Sequence, residues 1–272
     1  MKPVECSDIL SELERWYTSE RGDYLLQTTQ QAVQSTLDTN FGYHLLQLGL
    51  HGNAPLMSGS RISNKLYCAE SESAAEGAQL VAHADELPLA SDSVDTVIVH
   101  HALEFAQNPH RVLREIQRVL TPQGQLLIAV FNPFSAFGAQ ARLRGLFRDR
   151  LWQNYRPIGQ GRLTDWLHLL NCEVHGVYHV GGVLPFGRGR LRQWLIGADG
   201  WLSDHKVPVG GVLVVHASKQ VVGMHPTARR RAQMAPGRLV GLVTKPRPSP
   251  VPVPASPMGQ NLNRDDKGST RH

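Results

Sequence analysis

The stretch from Val94 to Asn132 constrains the fold more than any other part of the chain. "VDTVIVHH" (94–101) and "GQLLIAVFN" (124–132) are short, almost wholly apolar runs of the kind that fills a strand buried on both faces. Between them the spacing predicts a helix. Asn108 suits the N-cap and Pro109 the first turn, and Val112, Leu113, Ile116, Val119 and Leu120 recur at helical intervals. Arg111, Arg114 and Arg118 fall on other faces, and "TPQG" ends the helix. Strand, helix and strand so close together form a crossover unit, which makes the sheet parallel and directs ligands to the carboxyl ends of its strands.

The same alternation extends in both directions. "YHLLQLGL" (43–50), "KLYCAE" (65–70) and "AQLVAHAD" (78–85) read as earlier strands. Ahead of them, Ile9, Leu10, Leu13, Trp16 and Tyr17 form one helical stripe and Leu25, Leu26, Ala32, Val33 and Leu37 another, so residues 1–42 are expected to be a helical flank or lid. After Asn132 come an arginine-rich stretch, a helix over 162–171, a strand over 173–180, a helix near 189–203 and a closing strand over 211–222. Residues 43–222 then form one domain, with 133–210 on its substrate side.

Charge separates the last fifty residues from the rest. From Gly223 onward nine Lys/Arg face only Asp265 and Asp266, a larger positive surplus than the whole chain's +5, so residues 1–222 carry a small negative excess. The segment also holds eight of the seventeen prolines, including "KPRPSPVPVPASP" (245–257). It has too little apolar surface to offset its ordering entropy, and residues 223–272 are expected to be a disordered, basic, Pro-rich tail. Its attraction for anions is the one feature that would admit nucleic acid as a partner.

Cys6, Cys68 and Cys172 are odd in number and widely spaced, against a disulfide framework or zinc knuckle and in keeping with a reducing cytoplasm. No run is long and apolar enough to span a bilayer, and the first twenty residues lack the uninterrupted apolar core of a signal peptide.

Residues 84–133, "ADELPLASDSVDTVIVHHALEFAQNPHRVLREIQRVLTPQGQLLIAVFNP", resemble the second half of a class I S-adenosylmethionine-dependent methyltransferase of the type 11 domain family. Asp85, Leu87-Pro88, Ser93-Val94-Asp95, Leu103, Glu115, Arg118-Val119-Leu120 and Pro122-Gln123-Gly124 carry the resemblance. "LERWYTSERGDYLL" followed by "LLQLG" is similar to an uncharacterised bacterial branch. The resemblance implies an α/β, Rossmann-like fold: a mostly parallel seven-stranded sheet with an antiparallel last strand. It also implies S-adenosyl-L-methionine as cofactor and methyl transfer to an acceptor, here a small molecule.

By the same resemblance, Glu70 at the end of the second strand would accept from the ribose hydroxyls. Asp85, with Glu86 beside it, would accept from the adenine amino group, and His100 would lie where the methionine portion passes. Leu87 and Val94 would support the adenine. The family's first-strand pattern places an acid and then glycines at alternate positions, where this chain has Gln47, Gly49, His51 and Asn53, with Gly52 displaced by one. Gly49 would be the close-approach residue. The eroded loop leaves two other readings open: an inactive module that keeps the fold for binding, and an RNA methyltransferase assisted by the tail.

His100 and His101 are adjacent, so strand alternation would send them to opposite faces, and no metal site is expected. Asn132-Pro133 reads as a turn at a strand end. In the arginine-rich run, Leu143, Leu146, Phe147 and Leu151 are expected to face inward, with Arg142, Arg144 and Arg148 solvated. Trp152, Tyr155, Trp166 and Phe186 suit either core packing or the mouth of a site. No residue is identifiable as a general base, and the oligomeric state is not legible.

Overall fold

The computed structural model describes residues 6–50, 56–70, 77–146, 152, 154–181 and 210–220. Every described residue lies in a single compact unit within residues 1–226. The expected tail and the helix near 189–203 lie outside the described residues.

The elements run α1 (Cys6–Tyr17), α2 (Glu20–Leu37), β1 (His44–Gly49), β2 (Asn64–Ala69), β3 (Leu80–Val81), β4 (Val94–His100), α3 (Pro109–Val119) and β5 (Leu120–Phe131), then α4 (Ala136–Leu146), α5 (Gln160–Leu169), β6 (Cys172–Val180) and β7 (Val212–Lys219). The seven strands form one sheet in the order β3-β2-β1-β4-β5-β7-β6. Pairing is parallel from β3 through β5, while β7 runs antiparallel to both β5 and β6. This is the expected mixed sheet, with β7 inserted between β5 and β6.

Each central strand alternates between two cores. Leu45, Ile98, Leu127, Ala129 and Phe131 join one apolar cluster with Leu13 and Tyr17 of α1 and Leu25 and Val33 of α2. Leu46, Leu48, Val97, Val99 and Ile128 join the other, with Leu113 and Ile116 of α3 and Leu163 and Leu167 of α5. The N-terminal helices therefore cover one face of the sheet. Leu13 and Leu25 are fully buried, and each such side chain contributes about 2 kcal/mol by leaving water.

Local chemistry sets the element ends. In α3 the Asn108 side chain accepts from the Arg111 amide and Pro109 occupies the first turn, as expected. In α2 the Ser19 hydroxyl accepts from the Gly22 amide. Two expectations change. The third strand shrinks to Leu80–Val81 because it is a sheet edge, paired to β2 at two positions only. Leu143 of α4 is 53% exposed rather than inward, so the helix does not present the expected apolar face there.

The chain builds β1, β2 and β3 outward on one side and then crosses back to place β4 on the other side of β1. That reversal lies between β1 and β4, the place where open α/β sheets bind ligands. The two strands come very close there. Gly49 has φ +89, and a Cβ on it would stand 2.1 Å from the His100 carbonyl oxygen. The Leu50 amide donates to that same oxygen at 2.9 Å. Glycine is thus demanded by the protein's own backbone, independently of any ligand. Gly49→Ala should destabilise the fold by about 3 kcal/mol, combining left-handed strain with overpacking, read from the denaturant midpoint.

Candidate functional site

The carboxyl ends of β1 and β4 define the site. Gln47 of β1, standing where the family pattern has an acid, is fully buried. Its amide Nε2 donates to the Leu50 carbonyl at 2.5 Å, and its Oε1 accepts from the Leu56 amide at 3.1 Å. Both ends of the side chain therefore brace the loop after β1. The Tyr67 hydroxyl of β2 donates to the Gly49 carbonyl at 3.1 Å, tying the same turn to the neighbouring strand. Residues 51–55, which complete this loop, lie outside the described residues, and 56–63 contain turns but no helix.

Glu70 directly follows β2 and is half-buried. Asp85 lies four residues beyond β3, in a turn, with its side chain 33% exposed and Oδ2 3.7 Å from Arg111 of α3. Glu86 is exposed, and its amide donates to the His83 carbonyl. Leu87 and Val94 are buried. The Leu87 amide is held by Glu115, whose carboxylate is also gripped by Arg118. Gly49, Glu70, Asp85 and His100 all fall at or just past the carboxyl ends of the consecutive strands β1 to β4.

The histidine pair departs from the expected alternation. His101 lies just past β4 with φ +58, and this turn swings its ring to within 4.8 Å of the His100 ring. Both residues are fully buried, and both rings stand 5.7 Å from that of Tyr17. Among the described residues, no group of three His, Cys, Asp or Glu could hold a metal ion.

His101 is the middle member of a buried polar chain that the sequence reading missed. The Tyr17 hydroxyl of α1 lies 2.6 Å from His101 Nε2, and His101 Nδ1 lies 2.5 Å from Glu104 Oε1. Glu104 Oε1 also accepts from the Phe131 amide at 3.0 Å. An oxygen already accepting from one N–H suits the tautomer in which Nδ1–H donates to it, leaving Nε2 to accept the phenolic proton. Phe131 stacks on the imidazole at 4.0 Å. Trp16, Phe137, Trp152 and Tyr155 close around Phe131, so Trp152 and Tyr155 take their core-packing role. A signal for Glu104 was present, since it is a lone acid in the apolar run "HALEFA".

Residues 42–128 match the family described as a methyltransferase domain. An uncharacterized protein of Escherichia coli, YafS, is 27% identical over 224 residues, covering 82% of this chain and 87% of that protein. Among solved structures, an S-adenosylmethionine-dependent methyltransferase from Thermotoga maritima superposes with a TM-score of 0.58 at 18% identity, covering 79% of this chain and 98% of its own. A methyltransferase from Haloferax volcanii, solved in complex with the Trm112 methyltransferase activator, superposes at 0.55 with 17% identity, covering 77% and 98%.

Burial sets the titration of the polar chain. It lowers the His101 imidazole to about 3 and pushes the Glu104 carboxyl up to about 8, so the pair together retains one proton at neutral pH. A lowered His101 means that the unfolded chain binds more protons between pH 3 and 6.5, so this group makes stability rise with pH there. A raised Glu104 means that the folded chain keeps a proton the unfolded chain has lost, so stability falls between about pH 4.5 and 8. The two trends offset each other up to about pH 6.5, above which only the fall remains. The protein should lose about 2 kcal/mol of stability from pH 6.5 to 8, and Glu104→Gln should abolish that loss in denaturant titrations across the range.

Proposed function

We propose that the protein, whose residues 42–128 match the methyltransferase domain family, transfers a methyl group from S-adenosyl-L-methionine to a small-molecule acceptor. The observation that carries this reading is that Gly49 and His100 end β1 and β4, where the strand order reverses, while Glu70 directly follows β2 and Asp85 lies in the turn four residues past β3. The residues suit the cofactor chemically. An adenosyl group offers two ribose hydroxyls and an exocyclic amine as donors, and carboxylates supply acceptors only. Glu70 would take the hydroxyls and Asp85, with Glu86 beside it, the amine. His100 would flank the methionine portion, and Gly49 would let the main chain approach. When bound, the cofactor supplies an electrophilic methyl on a sulfonium.

The chain's own task is then alignment and exclusion of water. Arg111, in the first turn of α3, stands 3.7 Å from the Asp85 carboxylate. The helical flank and the aromatic residues around Phe131 close the sheet face on the acceptor side. Among the described residues no helix is long and apolar enough to cross a membrane.

One observation favours a second reading. With both ends of the Gln47 amide spent on the loop after β1, no side-chain carboxylate at that position meets the methionine ammonium, as a fold kept only for binding would allow. Calorimetric titration separates the readings. The enzyme should bind S-adenosylmethionine and S-adenosylhomocysteine, and Asp85→Ala should weaken both by about 1 to 3 kcal/mol through loss of a hydrogen-bond acceptor. Absence of binding at millimolar ligand in the intact protein would remove the enzymatic reading.

A further inference from the structure

The Tyr17–His101–Glu104 chain is more elaborate than packing requires. Three apolar side chains of similar volume would fill the same space without desolvating a carboxyl, an imidazole and a phenol. Instead His101 is held in the left-handed region, a sparsely populated conformation that collects at functional sites. Glu104 Oε2 is fully buried with no hydrogen-bond partner among the described residues. An imidazole placed between a carboxyl and a hydroxyl is also the arrangement that activates a hydroxyl as a nucleophile.

Position adds to chemistry. His101 follows His100, whose carbonyl meets Gly49, so the imidazole stands at the β1/β4 reversal where the sulfonium of a bound cofactor is expected. The hydroxyl it holds belongs to the protein itself. The phenol ring of Tyr17 lies edge-on to Trp16 at 5.0 Å and beside both histidine rings, in a place shaped and wired for a phenol.

We propose that His101 and Glu104 are a general-base dyad for a phenolic acceptor, and that Tyr17 occupies the acceptor's place while α1 is docked. This rests on the methyltransferase reading above. Withdrawal of Tyr17 with α1 would free the place. The acceptor oxygen then bonds to the methyl carbon as the carbon–sulfur bond breaks with its electron pair remaining on sulfur. The hydroxyl proton passes to His101 Nε2, and Glu104 offsets the charge of the imidazolium. The titratable groups facing the dyad are Tyr17 from α1, His100 from β4 and Tyr155, with Arg142 of α4 acting on Tyr155. With Glu104 pushed up to about 8 by burial, the form pairing neutral imidazole with carboxylate gains population as pH rises through that value.

Tyr17→Ala leaves a void shaped for p-cresol, the tyrosine side chain as a free molecule. Millimolar p-cresol should raise the melting temperature of Tyr17→Ala and leave wild type and Tyr17→Ala/His101→Phe unchanged. With S-adenosylmethionine added, the single variant should form 4-methylanisole, seen by mass spectrometry, roughly tenfold or more faster than wild type. The rate should rise with pH through about 8, and Tyr17→Ala/Glu104→Gln should lose that rise. Should Tyr17→Ala not fold, Tyr17→Leu with phenol as probe takes its place.

No stabilisation of a folded variant by the phenol overturns the proposal. So does a bound phenol that is not methylated by a variant shown calorimetrically to bind S-adenosylmethionine. Lack of cofactor binding by wild type marks a different failure, that of the methyltransferase reading itself, and the dyad's proposed role falls with it.

Discussion

A phenol, an imidazole and a carboxyl group, all removed from water, tie together the elements on which the rest of the molecule depends. Tyr17 brings α1, His101 the end of β4, and Glu104 the connection to α3, while the Phe131 amide brings the end of β5. Buried polar groups are costly unless satisfied, so each hydrogen bond in the chain fixes where the next element must sit. The helical flank is therefore held by specific polar contacts as well as by an apolar face.

That docking works only because β1 and β4 are already in register. Gly49 permits the His100 carbonyl to approach the backbone of β1, and the same carbonyl accepts from Leu50. With His100 so anchored, the left-handed turn at His101 can direct its ring back over the sheet toward α1. Gln47 adds the complementary constraint from below, using its amide to shape the loop that follows β1. The site is thus built of groups that first satisfy one another, and a cofactor would meet backbone contacts already made without it.

Much of this was legible along the chain. The apolar runs at 94–101 and 124–132, with the capped helix between them, specified the parallel crossover, and the observed strands and α3 follow them closely. Glu70 could be placed directly after β2 because a strand end is read from where an apolar run stops, whereas Asp85, expected to end the third strand, lies four residues past β3. Other features were hidden. Strand alternation separated His100 from His101, but a single positive φ reversed that separation. Tyr17 looked like one more member of a helical stripe, since periodicity reports which residues face inward and not what a polar atom on them will meet. Leu143 failed for the converse reason, as it belongs to an apolar pattern yet is exposed.

The sequence by itself determined the class of sheet, the order of its elements and the acid that follows the second strand, because these follow from local periodicity and from the short reach of each connection. Only the tertiary structure decided that Tyr17, His101 and Glu104 meet. Tyr17 and His101 are 84 positions apart, and no local rule carries a hydrogen bond over that distance. It took the closed sheet, the tight β1–β4 approach and the docked helix to bring the three groups together out of water.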